Sequence, residues 1–173
     1  YYQADGVTLY HGDCLEVTDW LAADVLVTDP PYGIGYSTNF GGQWTGVPIQ
    51  GDDSTASRDA VLEWWASRPA AVFSSYRCRP FGAPHPMPLV FDKGDVVGMG
   101  DLSWPWRPSY EFVWVYGDGW TGPRSGAVLR SRVLPGNFTR RSHPTEKPLS
   151  LLELLIANAP PGVVADPFAG SGS

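Results

Sequence analysis

The sequence contains no apolar run approaching the ~20 residues that a membrane-spanning helix requires. It has no basic segment followed by an apolar one, so no secretory signal is expected. There are two cysteines, Cys14 and Cys78. They lie far apart and make no metal-ligand spacing, so the expectation is reduced thiols in a cytoplasmic protein with no metal site. Positive charge is scarce: 12 basic against 18 acidic side chains leave a net charge of −6, which argues against a uniformly basic nucleic-acid binder. What positive charge exists is unevenly spread. Up to Glu63 there are ten acids and only Arg58, whereas Arg124 to Lys147 holds six basic residues and one acid, Glu146. Such a stretch is compatible with phosphate contact through Arg124, Arg130, Arg132, Arg140 and Arg141; a solvated charged loop has the same composition. The 173 residues suffice for one domain with its own core.

The most informative stretch is Thr28-Asp29-Pro30-Pro31-Tyr32-Gly33. It follows Val25-Leu26-Val27, a β-branched apolar run that reads as a buried strand. Two consecutive prolines lack the N–H that a ladder needs, so the strand stops at Asp29. A carboxylate, two carbonyls and an aromatic ring are then left at the carboxyl end of a strand, where open α/β sheets bind ligands. Carboxylate and carbonyl are both acceptors and together can hold the two hydrogens of an exocyclic amino group. Tyr32 offers a flat face to a base drawn out of its stack.

Asp29-Pro30-Pro31-Tyr32 resembles the catalytic motif of the S-adenosylmethionine-dependent DNA amino-methyltransferases, which modify adenine N6 or cytosine N4. At the far end, Ala165-Asp166-Pro167-Phe168-Ala169-Gly170-Ser171-Gly172 is similar to that family's glycine-rich cofactor loop. His143-Pro144-Thr145-Glu146-Lys147-Pro148 resembles the motif that opens the helix before the cofactor strand. Catalytic motif first and cofactor loop last resembles the beta-class order. The resemblance implies a Rossmann-like α/β fold with a mostly parallel sheet, circularly permuted, with strand 163–165 beside strand 25–28. It implies Asp29, Pro30, Pro31 and Tyr32 as catalytic. Asp166, Pro167, Phe168, Gly170, Gly172, His143, Thr145 and Lys147 would hold S-adenosylmethionine. Double-stranded DNA is the implied substrate, with adenine N6 favoured because Asp heads the motif.

Between these anchors the chain reads as one domain. Val7 to Tyr10 suits a strand. Leu15, Val17, Trp20 and Leu21 suit a short helix with Asp13 as its N-cap, making a strand–helix–strand unit of a parallel sheet with strand 25–28. In the resembled family an acid at the position of Asp13 often contacts the cofactor's adenine; capping explains it equally. The glycine-rich residues 33–53 read as a lid, with Tyr36 and Phe40 as candidates to touch the base. Ser57–Ser67 is predicted helical with Ala60, Val61, Trp64 and Trp65 inward, Ala70–Phe73, Leu89–Phe91 and Glu111–Tyr116 as strands, and Leu149–Ala159 as a buried helix after Pro148. Phe91-Asp92-Lys93-Gly94 and Trp106-Arg107-Pro108-Ser109-Tyr110-Glu111 resemble weaker motifs of the family. Trp104, Trp106 and Trp114 are expected in the core, with DNA support as the other reading. Residues 117–141 fall where a small target-recognition segment belongs.

The resembled family continues past its glycine loop with a helix, a strand and an acid that binds ribose hydroxyls. This chain ends at Ser173. The isolated chain is therefore expected to bind cofactor poorly. A non-catalytic fragment, or half of a split enzyme needing a complementing chain with the missing C-terminal elements, competes with the enzyme reading. A nicotinamide-dependent oxidoreductase would leave Asp29-Pro30-Pro31-Tyr32 without a role.

Overall fold

The computed structural model describes residues 2–35, 51–78, 86–94, 102–130 and 146–170. The elements among them are β1 (Tyr2–Ala4), β2 (Val7–Leu9), a one-turn 3-10 helix (Asp19–Ala22), β3 (Val25–Thr28), α1 (Ala56–Trp65), β4 (Ala70–Ser74), β5 (Met87–Asp92), β6 (Tyr110–Tyr116), β7 (Val128–Arg130), α2 (Leu149–Asn158) and β8 (Val164–Ala165). Six strands form one sheet in the order β7-β5-β6-β4-β3-β8. β3 is parallel to both β4 and β8, β5 is parallel to β7, and β6 runs against both β4 and β5. Every strand but β6 therefore points the same way. The start of β6 lies at the edge where the other five strands end.

The side-chain period of two decides which helix covers which face. In β3 and β4, Leu26, Ala70 and Val72 face Val61, Leu62 and Trp65 of α1. Their neighbours Val27, Ala71 and Phe73 face Leu151 and Leu155 of α2 on the other side, with Phe91 and Val113. The continuous apolar runs of β3 and β4 are thus those of strands buried on both faces. Trp65 is 1% exposed, its indole N–H donates to the Pro69 carbonyl at 3.0 Å, and Arg68 lies 3.6 Å over its ring. Truncating such a residue to alanine costs about 3–5 kcal/mol.

Several expectations need correction. β2 exists but joins no parallel unit; it pairs antiparallel with β1 in a separate two-stranded sheet. The turn between them is Asp5-Gly6, with φ of 46° and 81°, a two-residue hairpin loop whose positive φ values suit Asp-Gly. The segment after Asp13 is a turn followed by the 3-10 helix, because the apolar residues there reach the core over too few positions for an α-helical face. Trp64 is 46% exposed and stacks on Trp20, with centroids 6.4 Å apart. Trp104 and Trp106 are 66% and 77% exposed and lie outside the core, whereas Trp114 packs against it. They precede β6 in the connection, where neither helix reaches. β7 is an edge strand within residues 117–141, where the sequence singled out no strand.

Candidate active site

β8 and β3 are parallel neighbours with Val25 opposite Val164 and Leu26 opposite Ala165. Both chains therefore leave the sheet at the same edge, Asp166 directly after β8 and Asp29 directly after β3. The Thr28 hydroxyl donates to Asp166 Oδ1 across the gap. The two motifs at opposite ends of the chain meet in one place.

The path after β3 is held from several sides. Pro30 is buried. Asp52 is 3% exposed, and its Oδ1 accepts from the backbone N–H of Tyr32 at 2.7 Å and of Gly33 at 2.9 Å. The Asp52 carbonyl accepts from Gly35 N at 2.7 Å, which ties together the two ends of the expected lid. Gly33 has φ +69°, and a Cβ there would stand 2.7 Å from Thr55 Cγ2, so only glycine fits. The Cys78 thiol donates to the Tyr32 carbonyl at 3.2 Å.

Charge is concentrated on Asp29. Its Oδ1 accepts from the Tyr32 hydroxyl at 2.6 Å, and its Oδ2 is 2.8 Å from Lys147 Nζ. Lys147 is 8% exposed. Its ammonium also lies 3.2 Å from Glu111 Oε2 and donates to the Tyr32 hydroxyl at 3.3 Å; Glu111 is paired in turn with Lys93. Burial pushes the Lys147 ammonium down, but Asp29 and Glu111 outweigh it and hold it above its ordinary value. Burial pushes Glu111 up, and Lys147 and Lys93 overcome that to hold it low. Burial, then the charges of Asp29 and Glu111, raise the Tyr32 phenol well above its usual range, so it stays a donor. Each Asp29 oxygen has one partner among these contacts and retains acceptor capacity.

On the other strand, Asp166 Oδ1 also accepts from Phe168 N at 2.9 Å. Burial pushes its carboxyl up to about 6, with a smaller contribution from the Asp29 charge. The side chain still keeps an open face, so solvent screens part of this effect. Asp13 Oδ1 accepts from Leu15 N at 2.8 Å, closing a turn. Next to it, Cys14 packs against the cluster that includes Ala165 and Phe168. Burial first, then the Asp13 charge, with a smaller part from Asp166, raises the Cys14 thiol. The Asp13 turn thus borders the glycine loop, although it does not end a sheet strand.

Asp29, Pro30, Pro31, Tyr32, Lys147, Asp166, Pro167, Phe168 and Gly170 therefore gather at one edge, with Asp13 beside them. Lys147, expected toward the cofactor, has its ammonium on Asp29. Arg130 lies at the end of β7, paired with Asp92 at 3.3 Å, four strands from β3 and so roughly 19 Å away along the edge. Arg124 is exposed before β7. Tyr36, Phe40, Arg132, Arg140, Arg141, His143, Thr145 and Gly172 lie outside the described residues. Glu111 and Asp52 were not foreseen. A lone Glu in an alternating strand and an Asp in a glycine-rich stretch carry no signal until Lys93, Lys147 and the Tyr32 backbone are seen beside them.

No protein-family model matches the chain. In sequence it is 25% identical, over an alignment of 240 positions spanning all of this chain and 73% of the relative, to the type II methyltransferase M.ScaI of Streptomyces caespitosus. In structure it is similar to the M1.HpyAVI–SAM complex, with a TM-score of 0.57, 22% identity and coverage of 94% of this chain and 83% of that one. The fold is the Rossmann-like methyltransferase fold.

Proposed function

We propose that this chain, resembling DNA methyltransferases in sequence and fold, transfers a methyl group from S-adenosylmethionine to an exocyclic amino group of a DNA base. The observation that carries this reading is the Thr28–Asp166 hydrogen bond, which brings the amino-gripping motif and the glycine loop to adjacent strand ends. The residues present suit the cofactor. Asp166 is a partly open carboxylate at a strand end, and Gly170, at φ +54°, turns the loop there. Pro167 and Phe168 continue the loop, with Asp13 at its border, and the resemblance assigns Gly172, His143 and Thr145 to the cofactor as well. When bound, the cofactor supplies an electrophilic methyl group on a sulfonium.

This chain's residues supply position. Asp29 and the Pro30 carbonyl would accept the two amino hydrogens of the base and so orient the nitrogen lone pair. Lys147 and the Tyr32 hydroxyl hold the Asp29 carboxylate in one orientation. Tyr32, half-buried, presents its remaining face to the flipped base. Approximation of this kind is worth roughly 7–11 kcal/mol of barrier. Adenine N6 is the preferred target on the resemblance of an Asp-headed motif. Arg124 and Arg130, with Arg132, Arg140 and Arg141, are the side chains assigned to DNA phosphates.

Isothermal titration with S-adenosylmethionine and with NAD tests the assignment. Weak but saturable binding of the first and none of the second is expected. NAD binding in its place would overturn it.

A further inference from the structure

An aromatic ladder on β6 ends at the sheet edge beside the site. Trp114, Phe112 and Tyr110 alternate along the strand and so share one face. The Trp114 and Phe112 rings stack with centroids 5.1 Å apart, Phe112 and Tyr110 meet edge-on at 5.5 Å, and Tyr110 reaches Tyr76 after β4 at 6.3 Å. Burial falls along this series. Trp114 packs on the core, whereas Tyr110 and Tyr76 are 38% and 44% exposed. Arg77 sits 5.5 Å from the centroid of the Tyr76 ring. Trp106, four residues before Tyr110, is the most exposed large aromatic among the described residues.

The position of this surface is set by two contacts. Cys78, two residues beyond Tyr76, donates to the Tyr32 carbonyl. Glu111, beside Tyr110 in the chain but on the opposite face of β6, is joined to Asp29 through Lys147, which puts the start of β6, and Tyr110 with it, at the strand ends that carry the motif. The platform therefore flanks the motif that grips an amino group. Exposed ring faces with an arginine beside them suit stacking on nucleobases and attraction to a phosphate backbone. A paired duplex hides its base faces inside the stack, so only unpaired bases can use such a platform.

We propose that Tyr76, Tyr110 and Trp106 form a stacking surface for unpaired bases next to the target, so that the protein engages an opened DNA strand more tightly than an intact duplex. This rests on reading the Asp29 motif as DNA-modifying. The platform holds the neighbours of the extruded base and keeps the opened strand from re-closing over it.

Fluorescence anisotropy on the full chain tests this with three labelled probes: a single-stranded oligonucleotide, the same length of intact duplex, and a single strand carrying abasic sites. The first is expected to bind best. Tyr76→Ala and Trp106→Ala are each expected to weaken it by about 5- to 150-fold, the range of one lost base stack, with Tyr76→Phe close to wild type and the abasic probe weak in all. Equal binding of the abasic and base-bearing strands overturns the proposal, as does single-strand affinity unchanged in both alanine variants. The two readings fail separately. Cofactor titration and methyl transfer that succeed while these variants bind normally sink the platform alone. Base-dependent binding lost in the variants, in a chain that takes no S-adenosylmethionine, keeps the platform and sinks the methyltransferase reading.

Discussion

The ammonium of Lys147 lies 2.8 Å from Asp29 Oδ2, so a side chain two residues before α2 neutralises the carboxylate after β3. Glu111 shares the same ammonium at 3.2 Å. Lys147→Met leaves Asp29 without its cation and Glu111 with Lys93 alone. Removing one member of a buried ion pair costs about 3–5 kcal/mol, and urea unfolding is expected to show a loss of that order.

The same network has a pH window. Lys147 is held above its ordinary 10.5, so its contribution is full below that value and is lost as pH rises through the folded value. Glu111 is held below its ordinary 4.5, so its contribution is full above that value and is lost as pH falls through the folded one. The contribution of this ion-pair network is expected to be flat across the range between and to fall at both ends. Lys147→Met is expected to lessen the alkaline fall, to which the raised Tyr32 phenol also contributes, as read by unfolding midpoints across pH.

Asp29→Ala removes the acceptor for the target amino group while leaving the glycine loop intact. Methyl transfer is expected to vanish with S-adenosylmethionine affinity nearly unchanged, measured by radiolabel incorporation and calorimetry. Transfer that survives the substitution removes Asp29 from the mechanism.

Thr28→Val deletes a hydroxyl that joins the two motif loops. The substitution keeps the shape but not the donor. Cofactor affinity is expected to fall by about tenfold, equivalent to ~1.4 kcal/mol. Unchanged affinity means the loops do not depend on this contact.

Asp52→Ala strips the acceptor from the N–H groups of Tyr32 and Gly33. Leaving a buried donor unpaired costs about 1–3 kcal/mol, so a lower unfolding midpoint is expected. Methyl transfer is expected to drop more than cofactor affinity, because the fault lies under Tyr32 and away from Asp166.

Local rules carried the sequence reading as far as the strands and the two motifs. Val25-Leu26-Val27 and Ala70–Phe73 are apolar without interruption because helices cover both faces of the sheet, and such runs are visible without coordinates. The pairing of β3 with β8 followed from the resemblance and stands in the register. The N-terminal hairpin is legible in Asp5-Gly6, a turn that the expected strand–helix–strand unit left out of account. The partnership of Asp29, Lys147, Glu111 and Lys93 was not legible, because its members come from four separate segments. The exposure of Trp104 and Trp106 was hidden for a related reason: tryptophan marks apolar area, and only the tertiary arrangement says which side of the sheet edge it falls on.

The central claim is that a methyl donor and an amino group meet between Asp166 and Asp29. Mass spectrometry of nucleosides from adenine-containing DNA incubated with the chain and S-adenosylmethionine tests it directly. N6-methyldeoxyadenosine is expected with the wild type and is expected to be absent with Asp29→Ala; a methyl group found on a ring carbon, or equal product from both proteins, would contradict it.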